Sequence, residues 1–470
     1  MKILLINPYG TPFEVLSPPL SLAYIASYTR KTFPECEFRI LDFEKDKLPI
    51  ERQMEIIKKE NPDVIGITSL TPNFHGAIKL AMALKQWRSD IPVIAGGVHV
   101  TAMRPDVEYF DSIVLGEGEI AFTELIGLIK QREKLPRVHQ SVLLKDIDLI
   151  PAWDLIDLSS YKFFAPFKKK KQAVVYWSRG CPFECVFCSN AVWRFKIPRV
   201  RFRSPDNIIE ELSYLRENYG VEEVYVFDDE INTNPKWLDD VLERILKSGI
   251  KFYWKCQMRA SKNLLSESLL LKMREAGCWQ IAWGIESGSN RVLSGIKKRL
   301  TVEEVVYALN LSRKAGIINQ GLFMIGNIWL NDGKLNGETV EEALQTIEFA
   351  KRLRDEGLLD YIQFNIATPF PGSEMWDIVN KFKILKMDIA DSLYFDTHAL
   401  VFNHPRISED EMRRLHKLAW KEFVFSPSLV MRHISKIRSL DDLKNFIRSS
   451  GVVLKVLITG HARRLKRLEI

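Results

Sequence analysis

Along almost the whole chain, short apolar runs alternate with stretches of helical period. MKILLINP, FRILDFE, DVIGITSLT and PVIAGGVH are strand candidates, separated by helical segments such as FHGAIKLAMALKQWRSD, and SIVLGEGE adds a further strand and turn. Alternation of this kind predicts a parallel, doubly wound sheet over residues 1–140, with any ligand beyond the carboxyl ends of the strands. Those ends carry small or turn-forming residues: Asn7-Pro8, Thr68-Ser69, Gly96-Gly97 and Gly116-Glu117-Gly118-Glu119. Glycines there either let backbone approach a ligand or simply make tight turns, and no phosphate-loop pattern decides between the two.

A stretch without clear period, residues 141–172, reads as a linker containing PAWDL and FFAPFKKKKQ. A second series then begins at AVVYWSRG and continues through YGVEEVYVFDDEIN, GIKFYWKCQMRA, CWQIAWGIESGS, GIINQGLFMIGN and LDYIQFNIATPFPGS. Six strand–helix units over residues 173–385 predict a partial barrel of the (β/α)6 type, with its chemistry in the loops after the strands. Residues 386–470 read as a helical region.

The loop after the first of these strands, GCPFECVFCSN, holds three of the six cysteines: Cys181, Cys185 and Cys188. Three thiolates can reach one metal centre, but a structural zinc ion wants four ligands and no local fourth is present. Cys36, Cys256 and Cys278 are scattered singly, as buried small apolar side chains are.

Composition excludes some classes. With 46% hydrophobic and 27% charged residues the chain is globular rather than disordered. The opening residues are no signal peptide and no apolar run is long enough to span a bilayer, so a cytoplasmic protein is expected. The net charge of +7 is concentrated in residues 431–470, which carry ten Lys or Arg against three acidic residues. Such a basic end either meets an anionic surface, giving peripheral contact with the cytosolic face of a membrane, or is a solvated helical face.

Position and spacing together carry a resemblance. A Cys-x3-Cys-x2-Cys loop with Phe187 before its last cysteine, after the first strand of such a series, closely resembles the cluster loop of the radical S-adenosylmethionine (SAM) enzymes. The resemblance implies that the three cysteines hold a 4Fe-4S cluster whose open iron chelates SAM, and that one-electron cleavage yields a 5′-deoxyadenosyl radical. It also places Asp228 and Asp229 near the methionine amino group, Glu286 with Gly284, Ser287 and Gly288 at the SAM methionine or ribose, and Gly326 of FMIGN beside adenine.

PPLSLAYIASYTR, PDVIGITSLT, IPVIAGGVH and VLGEGE resemble in turn the cobalamin-binding domain of class B radical SAM enzymes. This implies that Thr68, Ser69, Gly96, Gly97, Gly116 and Glu117 face cobalamin. The Asp-x-His-x-x-Gly signature of a cobalt-ligating histidine is missing; Asp396-Thr397-His398 lies after the barrel and lacks its glycine. Two readings therefore stand: cobalamin-dependent C-methylation of an unreactive carbon, or radical cyclisation, coupling or rearrangement with a domain that no longer binds cobalamin. The implied partners are a small-molecule or lipid substrate and a reducing protein such as flavodoxin or ferredoxin. Nucleic acid is not expected, because the related methylthiotransferases carry extra N-terminal cysteines and only Cys36 precedes this loop.

Overall fold

The computed structural model describes residues 1–10, 17–161, 168–193, 199–386 and 400–424. The stretches FFAPF and Asp396-Thr397-His398 and the basic end 431–470 lie outside them.

β1 (Lys2–Asn7), β2 (Glu37–Asp42), β3 (Val64–Thr68), β4 (Val93–Gly96), β5 (Ser112–Leu115) and β6 (Val138–Gln140) form one sheet in the order β2-β1-β3-β4-β5-β6. Every pairing in it is parallel. Both faces are covered, so β1 is apolar on consecutive residues: Leu4 and Ile6 pack with Leu80 and Leu84, while Ile3 and Leu5 pack with Leu22 and Phe122. Ile3 to Ile6 are at most 1% exposed, and burying each such side chain stabilises the fold by about 1.5–3 kcal/mol. Strand order reverses around β1, which opens a crevice at the carboxyl edge.

Residues 141–161 then run against both halves of the molecule. Ala152 N donates to Ala23 O at 3.1 Å, and buried Trp153 donates through Nε1 to Glu211 at 2.9 Å. β7 (Gln172–Val175) opens the second sheet, and β8 (Ser178–Arg179) pairs antiparallel with β9 (Arg201–Phe202) just beyond it. β10 (Glu223–Val226), β11 (Tyr253–Met258), β12 (Cys278–Glu286), β13 (Ile318–Ile325) and β16 (Tyr361–Ile366) complete a parallel sheet in the order β16-β13-β12-β11-β10-β7. β7 and β16 do not pair, so this is an open, partial barrel. Its helices carry local start and stop signals. Pro205–Tyr219 begins with Pro at its first position, the Ser204 hydroxyl accepts from Asn207 N at 3.2 Å, and Gly220 at φ +62° ends it.

The antiparallel hairpin of β14 (Ile328–Asn331) and β15 (Lys334–Gly337) interrupts the repeat between β13 and the helix Val340–Asp355. Helix Glu409–Val424 lies against β16 and Val340–Asp355 and buries Met412, Leu415 and Ala419.

Register decides which residues line the barrel. Trp254, Cys256, Ile281, Trp283 and Phe323 point outward into the main core. On the other face Tyr225, Lys255 and Gln280 align, then Gln257, Ala282, Gln320 and Tyr361, then Gly284, Leu322 and Gln363.

Candidate active site

The cysteine loop is held by backbone. Val186 N donates to Ile296 O at 2.9 Å, and Met375 N donates to Val186 O at 2.8 Å. The two aspartates after β10 fasten the segment entering the loop: Asp228 accepts from Trp177 N at 2.8 Å and from the Ser178 hydroxyl at 2.6 Å, and Asp229 accepts from Gly180 N at 3.1 Å. Gly180 has φ +92°, and a Cβ there would lie 2.1 Å from Arg199 O, so no other residue fits before Cys181. Asp228 is buried, which pushes its carboxyl up to about 7.

Glu230, the next carboxylate, was not among the residues singled out from sequence. Burial pushes it up to about 7, against the pull of Lys298 and Arg259, and its Oε1 has no hydrogen-bond partner among the described residues. The Arg259 guanidinium lies 3.9 Å over the ring of Phe183, inside the cysteine loop. At the end of β12 a register shift between Gly284 and Glu286 puts Glu286 at φ +68°, a strained conformation for a non-glycine residue. Its Oε1 accepts from Lys298 Nζ at 2.9 Å. Burial works against the Lys298 charge, yet Glu286 and Cys185 raise its pKa above the ordinary lysine value. Gly284 makes room for this pair, since a Cβ there would lie 2.7 Å from Lys298 Nζ. Cysteine loop, Glu230, Arg259, Glu286 and Lys298 thus form one cluster.

Ser287 and Gly288 turn away from that cluster. The Ser287 hydroxyl is 3.0 Å from Thr346 Oγ1 and accepts from Ser289 N at 3.1 Å, and Gly288 N donates to Thr346. Gly326, at φ +82°, donates to buried Glu338 at 2.7 Å.

In the first sheet, Thr68, Ser69, Gly96, Gly97 and Gly116 do share the carboxyl edge. Gly97 sits at φ +102°, where a Cβ would be 2.5 Å from Ser69 O and 3.0 Å from Thr68 Oγ1. Gly116 N donates to Thr101 Oγ1 at 3.1 Å, and Thr101 in turn donates to Gly97 O at 2.9 Å. Glu117 is engaged across the molecule: Arg201 binds both its oxygens, and Leu144 N donates to it at 3.1 Å. Arg179 reaches Glu119 at 2.7 Å. Because Arg179 and Arg201 follow β7, and Glu117 and Glu119 follow β5, these pairs join the carboxyl edges of the two sheets.

Two family descriptions match: the B12 binding domain over residues 6–126, and the Radical SAM superfamily over residues 175–350. The chain is 33% identical over 466 residues to an uncharacterized methyltransferase of Pyrococcus horikoshii, spanning 92% of this chain and 95% of that one. The chain belongs to the cobalamin-binding radical SAM enzymes. It is also 26% identical to an anaerobic magnesium-protoporphyrin IX monomethyl ester cyclase of Rubrivivax gelatinosus, over 88% of this chain and 75% of the relative. Its fold is similar to that of OxsB, a cobalamin-dependent SAM radical enzyme solved with aqua-cobalamin and SAM, at TM-score 0.70 and 16% identity, covering 97% of this chain and 72% of that one.

The cofactors of this radical SAM enzyme are therefore SAM, an iron–sulfur cluster and cobalamin, and the residues present fit each. Cys181, Cys185 and Cys188 lie within one loop, and a 4Fe-4S cluster binds each such cysteine to its own iron and leaves the fourth iron open. Burial pushes the Cys181 thiol up to about 12, with Glu230 and Cys188 acting in the same direction, so an incoming cation is what would make it a thiolate. At the other edge the buried Ser69 hydroxyl has no partner among the described residues. Beside it Gly96 is open, a Cβ there meeting nothing closer than 3.7 Å. A stranded hydroxyl on a glycine floor fits a large ligand lying across the strand ends.

The signal for Glu230 was its place directly after the aspartate pair. Lys298 and Arg259 had none, since a single basic residue in a loop is common.

Proposed function

We propose that this enzyme transfers a methyl group to an unreactive carbon of a small-molecule substrate. The observation that carries the reading is the face-to-face joining of the two carboxyl edges by Glu117–Arg201 and Glu119–Arg179. A corrin on the glycine floor and SAM at the cysteine loop would then open on one shared space. When bound, the cluster supplies the electron for SAM cleavage and cobalamin carries the methyl group. This chain's own groups bind and orient. Cys181, Cys185 and Cys188 would hold the cluster, and Glu230 and Glu286 would receive the polar groups of SAM. Asp228 and Asp229 position the loop through its backbone. The Arg259–Phe183 contact and the tightly seated Gly180 keep the loop from shifting away. An electron donor such as flavodoxin or ferredoxin completes the system.

No helix among the described residues is long and apolar enough to cross a membrane.

The test is anaerobic expression with hydroxocobalamin, followed by reconstitution with iron and sulfide. The protein should retain corrinoid, show no nitrogen splitting in its cob(II)alamin paramagnetic resonance spectrum, and turn SAM over to both 5′-deoxyadenosine and S-adenosylhomocysteine. The triple alanine variant at the three cysteines should stay folded and lose 5′-deoxyadenosine formation. Zinc at those cysteines with no cluster formed would end the reading, and 5′-deoxyadenosine without corrinoid would shift it to radical cyclisation or coupling.

A further inference from the structure

The inner face of a closed parallel barrel is normally filled by bulky branched side chains. Here it is polar. Two of its walls differ in kind.

On the β7–β10 side the wall is aromatic. Tyr225 and Phe227 meet edge to face with centroids 5.0 Å apart, and Tyr176 meets Phe227 at 6.3 Å. Phe227 is 43% exposed, and neither of its ring contacts among the described residues is stacked. On the β12–β16 side the wall carries amides among smaller and apolar side chains. Gln280 is 1% exposed and donates to Gln320 at 2.7 Å, while its own Oε1 has no partner among the described residues. Whichever way the two amides are turned, one keeps an unused carbonyl oxygen and the other an unused amino group. A buried amide oxygen left without a partner is destabilising, and a ligand supplying the missing donor removes that penalty.

At the base of the barrel Lys255 faces a carboxylate. Lys255 Nζ lies 4.7 Å over the Tyr225 ring, and burial lowers its pKa to about 8 against the attraction of Glu223. Glu223 in turn accepts from Lys168 N and Lys169 N, each at 2.7 Å, and from Trp279 Nε1 at 2.9 Å. Glu223 already attracts Lys255, and a purely hydrocarbon substrate would leave the amides unpaired.

Resting on the function proposed above, we infer that the substrate presents to the barrel a flat, uncharged ring whose edge carries both a hydrogen-bond donor and an acceptor. The ring would lie against Phe227 and be read by Gln280 and Gln320. The inference assigns the substrate a polar heterocyclic or lactam-like portion and excludes polycyclic and acyl hydrocarbons.

The test uses fragments as probes on the reconstituted, corrinoid-loaded enzyme with SAM present, by ligand-observed saturation-transfer NMR. Uracil and 2-pyridone carry the donor–acceptor edge, benzoate is a flat anion, and cyclohexanol is a largely apolar ring. Uracil and 2-pyridone should bind measurably better than the other two. Gln280→Leu should weaken them by about tenfold, as loss of one buried hydrogen bond does, and Phe227→Ala should weaken them as well. Gln320→Leu is the companion variant should Gln280→Leu fail to fold, as judged by its melting transition. Preference for benzoate or cyclohexanol, equal binding to wild type and variants, or no binding of either donor–acceptor ring would overturn the inference. Failure of wild type to form 5′-deoxyadenosine would instead strike the proposed function, so the two failures are distinguishable.

Discussion

Replacing Gly97 by Ala tests the cobalamin edge most directly, because the structure provides its own control. Gly97 has φ +102° and ψ 176°, a region essentially closed to residues with a side chain. The added methyl would also lie 2.5 Å from Ser69 O and 2.7 Å from Ser69 N, both backbone atoms that can yield only if the turn after β3 moves. Gly249 shares the positive φ, at +71°, but a Cβ there would meet nothing within 4 Å. Gly249→Ala should therefore cost only the left-handed conformation, about 1 kcal/mol. Gly97→Ala should cost that plus the displacement of Ser69, about 3 kcal/mol or more in total. Hydrogen exchange of the β3 and β4 amides would read the local loss, and absorbance of the purified protein would read retained corrinoid. Gly97→Ala should lose most of its corrinoid, and Gly249→Ala should keep it. Equal stability and equal corrinoid content in the two variants would refute the argument that Gly97 and Ser69 form a built floor.

Two further outcomes are expected. Burial raises the Glu338 carboxyl from the ordinary glutamate value to about 7, so the folded protein holds this proton more tightly than the unfolded chain. Its contribution is complete below the unfolded pKa and is lost as pH rises through about 7, so Glu338→Gln should gain on the wild type by up to about 3 kcal/mol between about pH 5 and pH 8. Urea denaturation at both pH values checks this, and parallel curves would show that Glu338 does not titrate there. Glu286→Gln and Lys298→Met should each weaken SAM binding by about 10- to 100-fold. Because the two side chains act as one pair, the double variant should lose little more than the worse single one, and calorimetric titration showing additive losses would contradict that coupling.

Much of this enzyme is written locally. Strand-by-strand alternation, the glycines at strand ends and the cysteine loop after the first barrel strand are contiguous patterns, and each follows from backbone periodicity or from the ligand needs of a metal centre. The hairpin β14–β15 was not legible, since its two strands are only four residues each and lie between two of the repeating units. Residue roles within the site were legible only to the level of neighbourhood. Asp228 and Asp229 stood out by position, yet their carboxylates hold Trp177, Ser178 and Gly180, and adjacent Glu230 keeps the unpartnered oxygen. Glu117 likewise reads as one of a string of loop residues, but Arg201, 84 positions away, takes both its oxygens. The polar lining of the barrel is the same kind of fact. Gln257, Gln280, Gln320 and Gln363 sit in separate strands with no common spacing, and only the parallel register sets them on one face. Local sequence determines which elements form and in what order, because those choices depend on neighbours in the chain. Tertiary structure alone decides which carboxylate is already satisfied and which amide still lacks a partner, because hydrogen bonds are settled between residues that folding brings together.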